Sequence, residues 1–291
     1  MDQKIIDLYD DFIHGGMNRR DFLERLTAVV GSTAAATAAM SLLQSDYALA
    51  QMVPANDPRL AIEQAAYDSP KGKINGYLAR PKSKGKRPAI VVIHENRGLH
   101  PHVQDVARRL AAEGFLAYAP DLLSLVGGTP ASEDDALALH KKLNQDDAVV
   151  ALTAAVSFLK KHPESTGKVG TVGFCFGGLM VNRLAVASRE LDGGVAYYGR
   201  QVPDADVPKI TAPLLLHYAE NDKGVNAGIE AYEKALKANK KRYTLYMYPG
   251  TQHAFNNDTG KARYNKEAAD LAWGRTLAFF KETLGAPPNA A

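Results

Sequence analysis

Short apolar runs alternate with longer stretches of helical period beyond residue 51. The run at residues 89–94 shows no alternation of polar and apolar positions, which is typical of a strand covered on both faces of a sheet. Residues 168–174 are a second candidate for such a buried strand. Further runs of strand length lie at residues 74–79, 115–119, 194–198, 213–218 and 243–248.

Segments with a helical pattern separate these runs, at residues 103–113, 133–161, 227–238 and 261–284. Strands that alternate with helices predict an α/β fold, with a mostly parallel central sheet flanked by helices. The length of 291 residues and the 46% of hydrophobic residues fit one main domain with a large core. In such a fold, functional groups collect in the loops at the carboxyl ends of the strands.

The first fifty residues differ from the remainder of the chain. The pair Arg19-Arg20 precedes an uncharged stretch rich in Ala and Thr at residues 26–43, and Ala48-Leu49-Ala50 offers a small-x-small cleavage site. This pattern resembles a twin-arginine export signal. It predicts a leader at residues 1–50, the main domain at residues 51–291, recognition by the twin-arginine export machinery and a periplasmic location.

The charge of this N-terminal segment fits a leader poorly, because residues 1–25 carry six Asp or Glu against four Lys or Arg. The alternative is a retained Ala-rich N-terminal helix in a cytoplasmic protein. We expect no stable membrane span in the mature chain, because Ala, Gly, Ser and Thr supply little transfer energy over so short a stretch.

The overall charge and the cysteine content limit the classes of partner and cofactor that we expect. The formal net charge is +3 and no basic block stands out, so we expect a small-molecule substrate and no nucleic-acid partner. A single cysteine forms no intramolecular disulfide, and the sequence has no CxxC or Cys/His cluster of the kind that binds zinc. We therefore expect no metal.

That cysteine stands in Gly173-x-Cys175-x-Gly177, directly after a predicted buried strand. The pattern has the form of a nucleophile elbow with cysteine in the serine position. Small flanking residues suit a sharp strand-to-helix turn, and the amino end of the following helix favours a thiolate. The alternative is a buried structural cysteine, which is common among free cysteines.

An enzyme with a nucleophile elbow in this architecture needs an acidic residue and then a histidine further along the chain. Each of them lies in a loop after a later strand. Asp222 and His253 follow the apolar runs at residues 213–218 and 243–248. His253 is predicted to accept the thiol proton, and Asp222 is predicted to orient its ring. Glu220 is a possible substitute for Asp222.

The loop after residues 89–94 normally donates one backbone N–H to the oxyanion, and the residue after the nucleophile donates the other. These positions predict the amides of Asn96 and Phe176 as the oxyanion hole. In the same region, His100 and His102 precede a predicted helix, where solvent exposure is the more common environment.

Several of these motifs together resemble the dienelactone hydrolase family of α/β-hydrolases. They are Glu95 in HENRG, Cys175 in GFCFGG, Tyr197-Tyr198-Gly199, Asp222 in HYAEND and His253 in HAF. The resemblance implies an α/β-hydrolase fold, attack by the cysteine on an ester or lactone carbonyl, and no cofactor. It also implies that Glu95 contacts the resting thiol and gives way when substrate binds.

Dienelactone-specific members hold the substrate carboxylate with two arginines, and the corresponding places around Leu125 and Asn257 contain none. The acyl group is therefore expected to differ from dienelactone. Candidate pocket residues are Arg97, Tyr197, Tyr198, Arg200 and Phe255. The alternatives are a thioesterase on the same triad, a redox-active thiol protein and a non-catalytic ligand-binding member of the fold.

Overall fold

The computed structural model describes residues 1–14, 17–49 and 51–288. Its strands are β1 Leu60–Ser69, β2 Gly72–Pro81, β3 Arg87–Ile93, β4 Leu116–Pro120, β5 Ser165–Phe174, β6 Gly193–Tyr197, β7 Leu214–Asn221 and β8 Tyr243–Gln252. Its helices are α1 Gln3–His14, α2 Arg19–Val30, α3 Thr33–Leu43, α4 Pro101–Ala112, α5 Glu133–His140, α6 Gln145–Lys161, α7 Phe176–Ala187, α8 Lys223–Asn226, α9 Ile229–Ala238 and α10 Lys266–Leu284.

The eight strands form one sheet in the order β1-β2-β4-β3-β5-β6-β7-β8. The pairs β1–β2 and β2–β4 are antiparallel, and every pair from β4 to β8 is parallel. Strand β3 is buried along its whole length, as its unbroken apolar run predicts. The predicted α/β architecture, with a mostly parallel sheet flanked by helices, is confirmed.

Two stretches differ from the predicted pattern. Strand β1 is not among the predicted strands; it is an edge strand with several exposed positions and no clear period of two. The helical pattern at residues 133–161 is divided into α5 and α6, because the side chain of Asn144 accepts hydrogen bonds from the amides of Asp146 and Asp147 and so begins a new helix.

The parallel strands bring the candidate residues to one edge of the sheet. Strands β3, β5, β6, β7 and β8 are successive neighbours that run in the same direction. The loops at their carboxyl ends therefore lie side by side. The residues after β3, β5, β7 and β8 are the ones from which the candidate site is built.

The turn between β5 and α7 has space only for glycine at two positions. A Cβ on Gly173 would lie 2.2 Å from the carbonyl oxygen of Gly177, and a Cβ on Gly177 would lie 2.4 Å from the carbonyl oxygen of Ile93. In both cases the obstructing atoms belong to the backbone. The flanking glycines are thus required by the close passage of strand and helix around Cys175.

Helices α1, α2 and α3 form a small hydrophobic cluster of their own, apart from the main core. Tyr9, Phe12, Phe22 and Leu26 are buried in it. The segment at residues 26–43 contains two helices, since Gly31 adopts a φ of 85° and ends α2. Ala50, the last residue of the predicted cleavage site, lies outside the described residues.

Within the described part of the chain, no single helix is long and apolar enough to cross a membrane. The segments Arg19–Val30 and Thr33–Leu49 meet the length and composition criteria only when they are taken together, and they are bent by 112° where they meet.

Candidate active site

Cys175 lies at the sharp turn between β5 and α7. Its φ of 56° and ψ of −113° are an unusual conformation for a residue with a side chain. The residue is the N-cap of α7 and is 9% exposed. Its thiol therefore lies at the positive end of a helix, where a negative charge on sulfur is stabilised.

His253 and Asp222 are paired beside this turn. The His253 Nδ1 lies 2.6 Å from Asp222 Oδ2, and both side chains are buried. Burial lowers the pKa of His253, but the charges of Asp222 and Cys175 outweigh it and hold that pKa well above its usual value. Glu220, the alternative acid, is exposed and accepts a hydrogen bond from the amide of Gly250 instead.

The second ring nitrogen of His253 points into the site. Nε2 is buried and has no hydrogen-bond partner among the described residues. A ring nitrogen of His253 lies within 4.8 Å of the Cys175 sulfur. An imidazole whose Nδ1 is fixed by a carboxylate and whose Nε2 faces a thiol is arranged for proton transfer.

The two predicted oxyanion donors flank the thiol. Phe176 is the first residue of α7, so its amide has no acceptor within the helix. Asn96 follows β3 and is 5% exposed. Both residues line the same cavity as Cys175.

Glu95 is buried beside the site. Its Oε2 accepts a hydrogen bond of 3.1 Å from Asn257 Nδ2, and it lies 3.8 Å from His100 Nε2. The other carboxylate oxygen, Oε1, has no hydrogen-bond partner in the described part of the chain. The hydrogen bond recorded for the Cys175 sulfur goes to His14 and not to Glu95.

The expected exposure of His100 and His102 is wrong. The relative exposures are 6% for His100 and 0% for His102. His102 Nδ1 lies 2.8 Å from Asp258 Oδ1, and Asp258 also pairs with Arg109. These contacts connect α4 to the loop after β8. Both histidines are buried because this loop, which is distant in the sequence, packs against the start of α4.

The cavity at Cys175 has a volume of about 770 Å³ and is lined by two of the five predicted pocket residues, Tyr198 and Arg200. The Tyr198 hydroxyl is buried and unpaired among the described residues. Arg97, Tyr197 and Phe255 do not line the cavity. Arg97 pairs with Glu133 and Tyr9, Tyr197 bonds to Thr276, and Phe255 packs among aromatic rings.

His14 is a residue of the site that the sequence analysis did not identify. It is the last residue of α1, and its Nε2 lies 3.1 Å from the Cys175 sulfur. Its ring also stands edge-on to that of His253, with 4.8 Å between the ring centroids. No local motif marks this histidine, because only the tertiary packing of α1 brings it to the thiol.

Three side chains at the site bring potential metal-ligand atoms close together. The ligand atoms of His14, Cys175 and His253 lie within 4.8 Å of one another. Zinc bonds to sulfur are about 2.3 Å long and those to nitrogen about 2.0–2.1 Å. The three groups would have to approach one another for zinc to bind to all of them.

The comparison with known families identifies the fold and its chemistry. A family model described as "Dienelactone hydrolase family" matches residues 74–284. The chain belongs to the dienelactone hydrolase family. The predicted α/β-hydrolase fold is thereby confirmed, and the protein is a carboxylic ester hydrolase of this family.

Individual relatives of this dienelactone hydrolase family member support the same assignment. The protein described as "Putative carboxymethylenebutenolidase" from Saccharolobus solfataricus is 31% identical over 253 residues, which cover 74% of this chain and 96% of the relative. Protein usf from Aquifex pyrophilus is 37% identical over 223 residues, which cover 73% of this chain and 94% of the relative.

A solved structure from Klebsiella pneumoniae, described as "Putative Dienelactone Hydrolase", superposes with a TM-score of 0.71 at 28% identity. The superposition covers 77% of this chain and 99% of the other.

A separate family model, described as "YqhI-like", matches residues 1–30. The N-terminal helices therefore lie outside the family match at residues 74–284.

Proposed function

We propose that this dienelactone hydrolase family member cleaves a small carboxylic ester or lactone with Cys175 as nucleophile. The observation that carries the proposal is the pairing of Asp222 with His253, whose free Nε2 faces the thiol at the β5–α7 turn. A cysteine, a histidine and a carboxylate in this arrangement are the components of nucleophilic acyl transfer.

The first half of the proposed reaction forms an acyl-enzyme. The thiol proton passes to Nε2 of His253, and the sulfur forms a bond to the substrate carbonyl carbon. The raised pKa of His253 favours this imidazolium. The imidazolium then protonates the leaving alkoxide as the carbon–oxygen bond breaks, and in a lactone that alkoxide remains attached to the acyl group.

The second half releases the acid. Water gives a proton to His253 Nε2 while its oxygen attacks the thioester carbonyl, and the carbon–sulfur bond breaks. The proton on His253 then returns to the thiolate of Cys175. In both halves, the amides of Asn96 and Phe176 are the donors to the oxyanion, and the loss of one such donor typically costs about 3–4 kcal/mol of transition-state stabilisation.

The acyl group is expected to differ from dienelactone, because no arginine stands at the two family positions around Leu125 and Asn257. Arg200 is the arginine that lines the cavity. A panel of esters, lactones and thioesters tests the reaction class. We expect turnover of small esters or lactones; turnover of thioesters alone would favour the thioesterase alternative, and peroxide consumption without any acyl hydrolysis would contradict the proposal.

We further propose that residues 1–50 are a twin-arginine leader. Both Arg19 and Arg20 are exposed on the folded protein, where a receptor can bind them. The mature protein recovered from its native host is expected to begin near Gln51 and to be periplasmic. N-terminal sequencing tests this prediction, and an intact Met1 on protein recovered from the cytoplasm would overturn it.

A further inference from the structure

The carboxyl-terminal half of α1 lies directly over the proposed active site. Asn96 Nδ2 donates a hydrogen bond of 3.1 Å to the carbonyl oxygen of Ile13, so α1 is bonded to a residue of the proposed oxyanion hole. Two arginines of the hydrolase domain hold the preceding turn. Arg97 donates to the Tyr9 hydroxyl at 3.0 Å, and Arg263 pairs with Asp10 at 3.0 Å.

His14 occupies the position that a substrate needs. Its Nε2 lies 3.1 Å from the Cys175 sulfur. A carbonyl carbon about to be attacked must approach its nucleophile to about 3–3.5 Å. Because the imidazole already lies at that distance, a substrate carbonyl that approaches the sulfur from this side meets His14.

Two contacts fix the orientation of the His14 ring against the thiol. His14 Nδ1 lies 3.1 Å from the backbone carbonyl oxygen of Asp10, which can only accept, so Nδ1 carries the hydrogen. The other ring nitrogen, Nε2, is the one that contacts the Cys175 sulfur.

Several of the contacts between the N-terminal helices and the hydrolase domain are polar. The apolar side chains of α1, α2 and α3 are buried against one another. Ala262 is the hydrolase residue among the partly buried apolar side chains packed on that cluster. Polar interfaces of this kind are typical of contacts that form and separate reversibly.

We propose that residues 1–14 are an intramolecular plug that forms one wall of the cavity at Cys175, places His14 against the sulfur and holds the full-length chain in a state of low activity. The inference rests on the proposed function of Cys175. In the plugged state, His14 blocks one approach to the sulfur and competes with substrate for contact with it. Cleavage near Gln51, as proposed for the leader, releases the plug from the catalytic domain.

The double variant Asp10→Ala/His14→Ala in the full-length chain tests the plug. It removes the ion pair with Arg263 and the contact with the thiol, and neither residue belongs to the proposed triad. Glu24→Ala is the matched control, because it removes an exposed carboxylate from α2, away from Cys175. Two rates are measured, the kcat/KM for a small chromogenic ester and the alkylation of Cys175, the sole cysteine, by iodoacetamide.

Both rates are expected to rise about tenfold in the double variant, as follows if only about a tenth of the full-length chain is unplugged at equilibrium. Glu24→Ala is expected to match the parent. Ester hydrolysis by the parent with neither rate increased in the double variant would overturn the plug. Faster alkylation with no hydrolysis in any form would support the plug and contradict the proposed function.

A cleavable chain provides a second measurement that does not alter the plug itself. The stretch at residues 54–56 is exposed, so a protease recognition site can be inserted there. The intact and the cleaved chain are then compared after the N-terminal fragment has been removed by size exclusion. Removal of the fragment is expected to accelerate Cys175 alkylation about as much as the double variant does, and an unchanged alkylation rate would overturn the proposal.

Discussion

Cys175→Ala is expected to lower kcat/KM for a small chromogenic ester by about 10⁴-fold or more, because loss of a nucleophile leaves only the binding and oxyanion contributions. Cys175→Ser is expected to retain part of the activity. A hydroxyl can also form an acyl-enzyme, as an oxygen ester, but it is less readily deprotonated at the amino end of α7. Steady-state kinetics on the purified full-length variants measures both effects.

The alanine variant is not expected to unfold, because it keeps the Cβ and removes one sulfur atom from the edge of the cavity. Circular dichroism and the thermal midpoint provide the control for folding. Undiminished ester turnover by a folded Cys175→Ala variant would contradict the assignment of Cys175 as nucleophile.

Asp222→Asn is expected to lower kcat by about 10²- to 10⁴-fold with a smaller change in KM, since the carboxylate acts on the histidine and not on the substrate. Asp222 Oδ2 accepts from His253 Nδ1 at 2.6 Å. An amide can turn its NH₂ towards Nδ1 and so favour the tautomer with hydrogen on Nε2, which cannot accept the thiol proton.

Glu220→Gln is the matched control for this variant. Glu220 lies two residues earlier in the chain, is exposed, and contacts the amide of Gly250. The same isosteric change there is expected to leave kcat within about twofold of the parent, as surface substitutions away from a site usually do. A similar loss of kcat in both variants would indicate a general disturbance of the loop after β7 and not a role for Asp222.

The strands that carry the site were predictable because their sequences are short and continuously apolar. Residues 89–94 correspond closely to β3 Arg87–Ile93, and residues 213–218 fall within β7 Leu214–Asn221 apart from the first. The edge strand β1 was not predicted because partial exposure removes the apolar signal. The break between α5 and α6 depends on the cap at Asn144, which a helical pattern alone does not distinguish.

The positions of Cys175, Asp222 and His253 relative to the sheet could be predicted because each directly follows a strand, and parallel neighbouring strands end at one edge. For residues in the loops after the strands, it was harder to predict which side chains line the cavity. Arg97 follows β3 closely, yet it is paired with Glu133 and Tyr9 instead of lining the cavity.

His14 could not be predicted as part of the site. It lies 161 residues from Cys175 in sequence, and its segment resembled a leader. Its contact with the thiol depends on polar bonds from Asn96 and Arg263 to α1, and none of these has a signal in the local sequence pattern.

The proposed mechanism requires that a covalent acyl group forms on Cys175 during hydrolysis. Intact-protein mass spectrometry after rapid acid quench of a reaction with an activated ester measures it most directly. We expect one added acyl mass, located by peptide mapping to Cys175, the sole cysteine. His253→Ala is expected to increase its accumulation, because an activated leaving group departs without a proton whereas deacylation still needs His253 as the base for water. Steady ester turnover with no acyl mass on Cys175, in either the parent or the His253→Ala variant, would rule out Cys175 as the nucleophile.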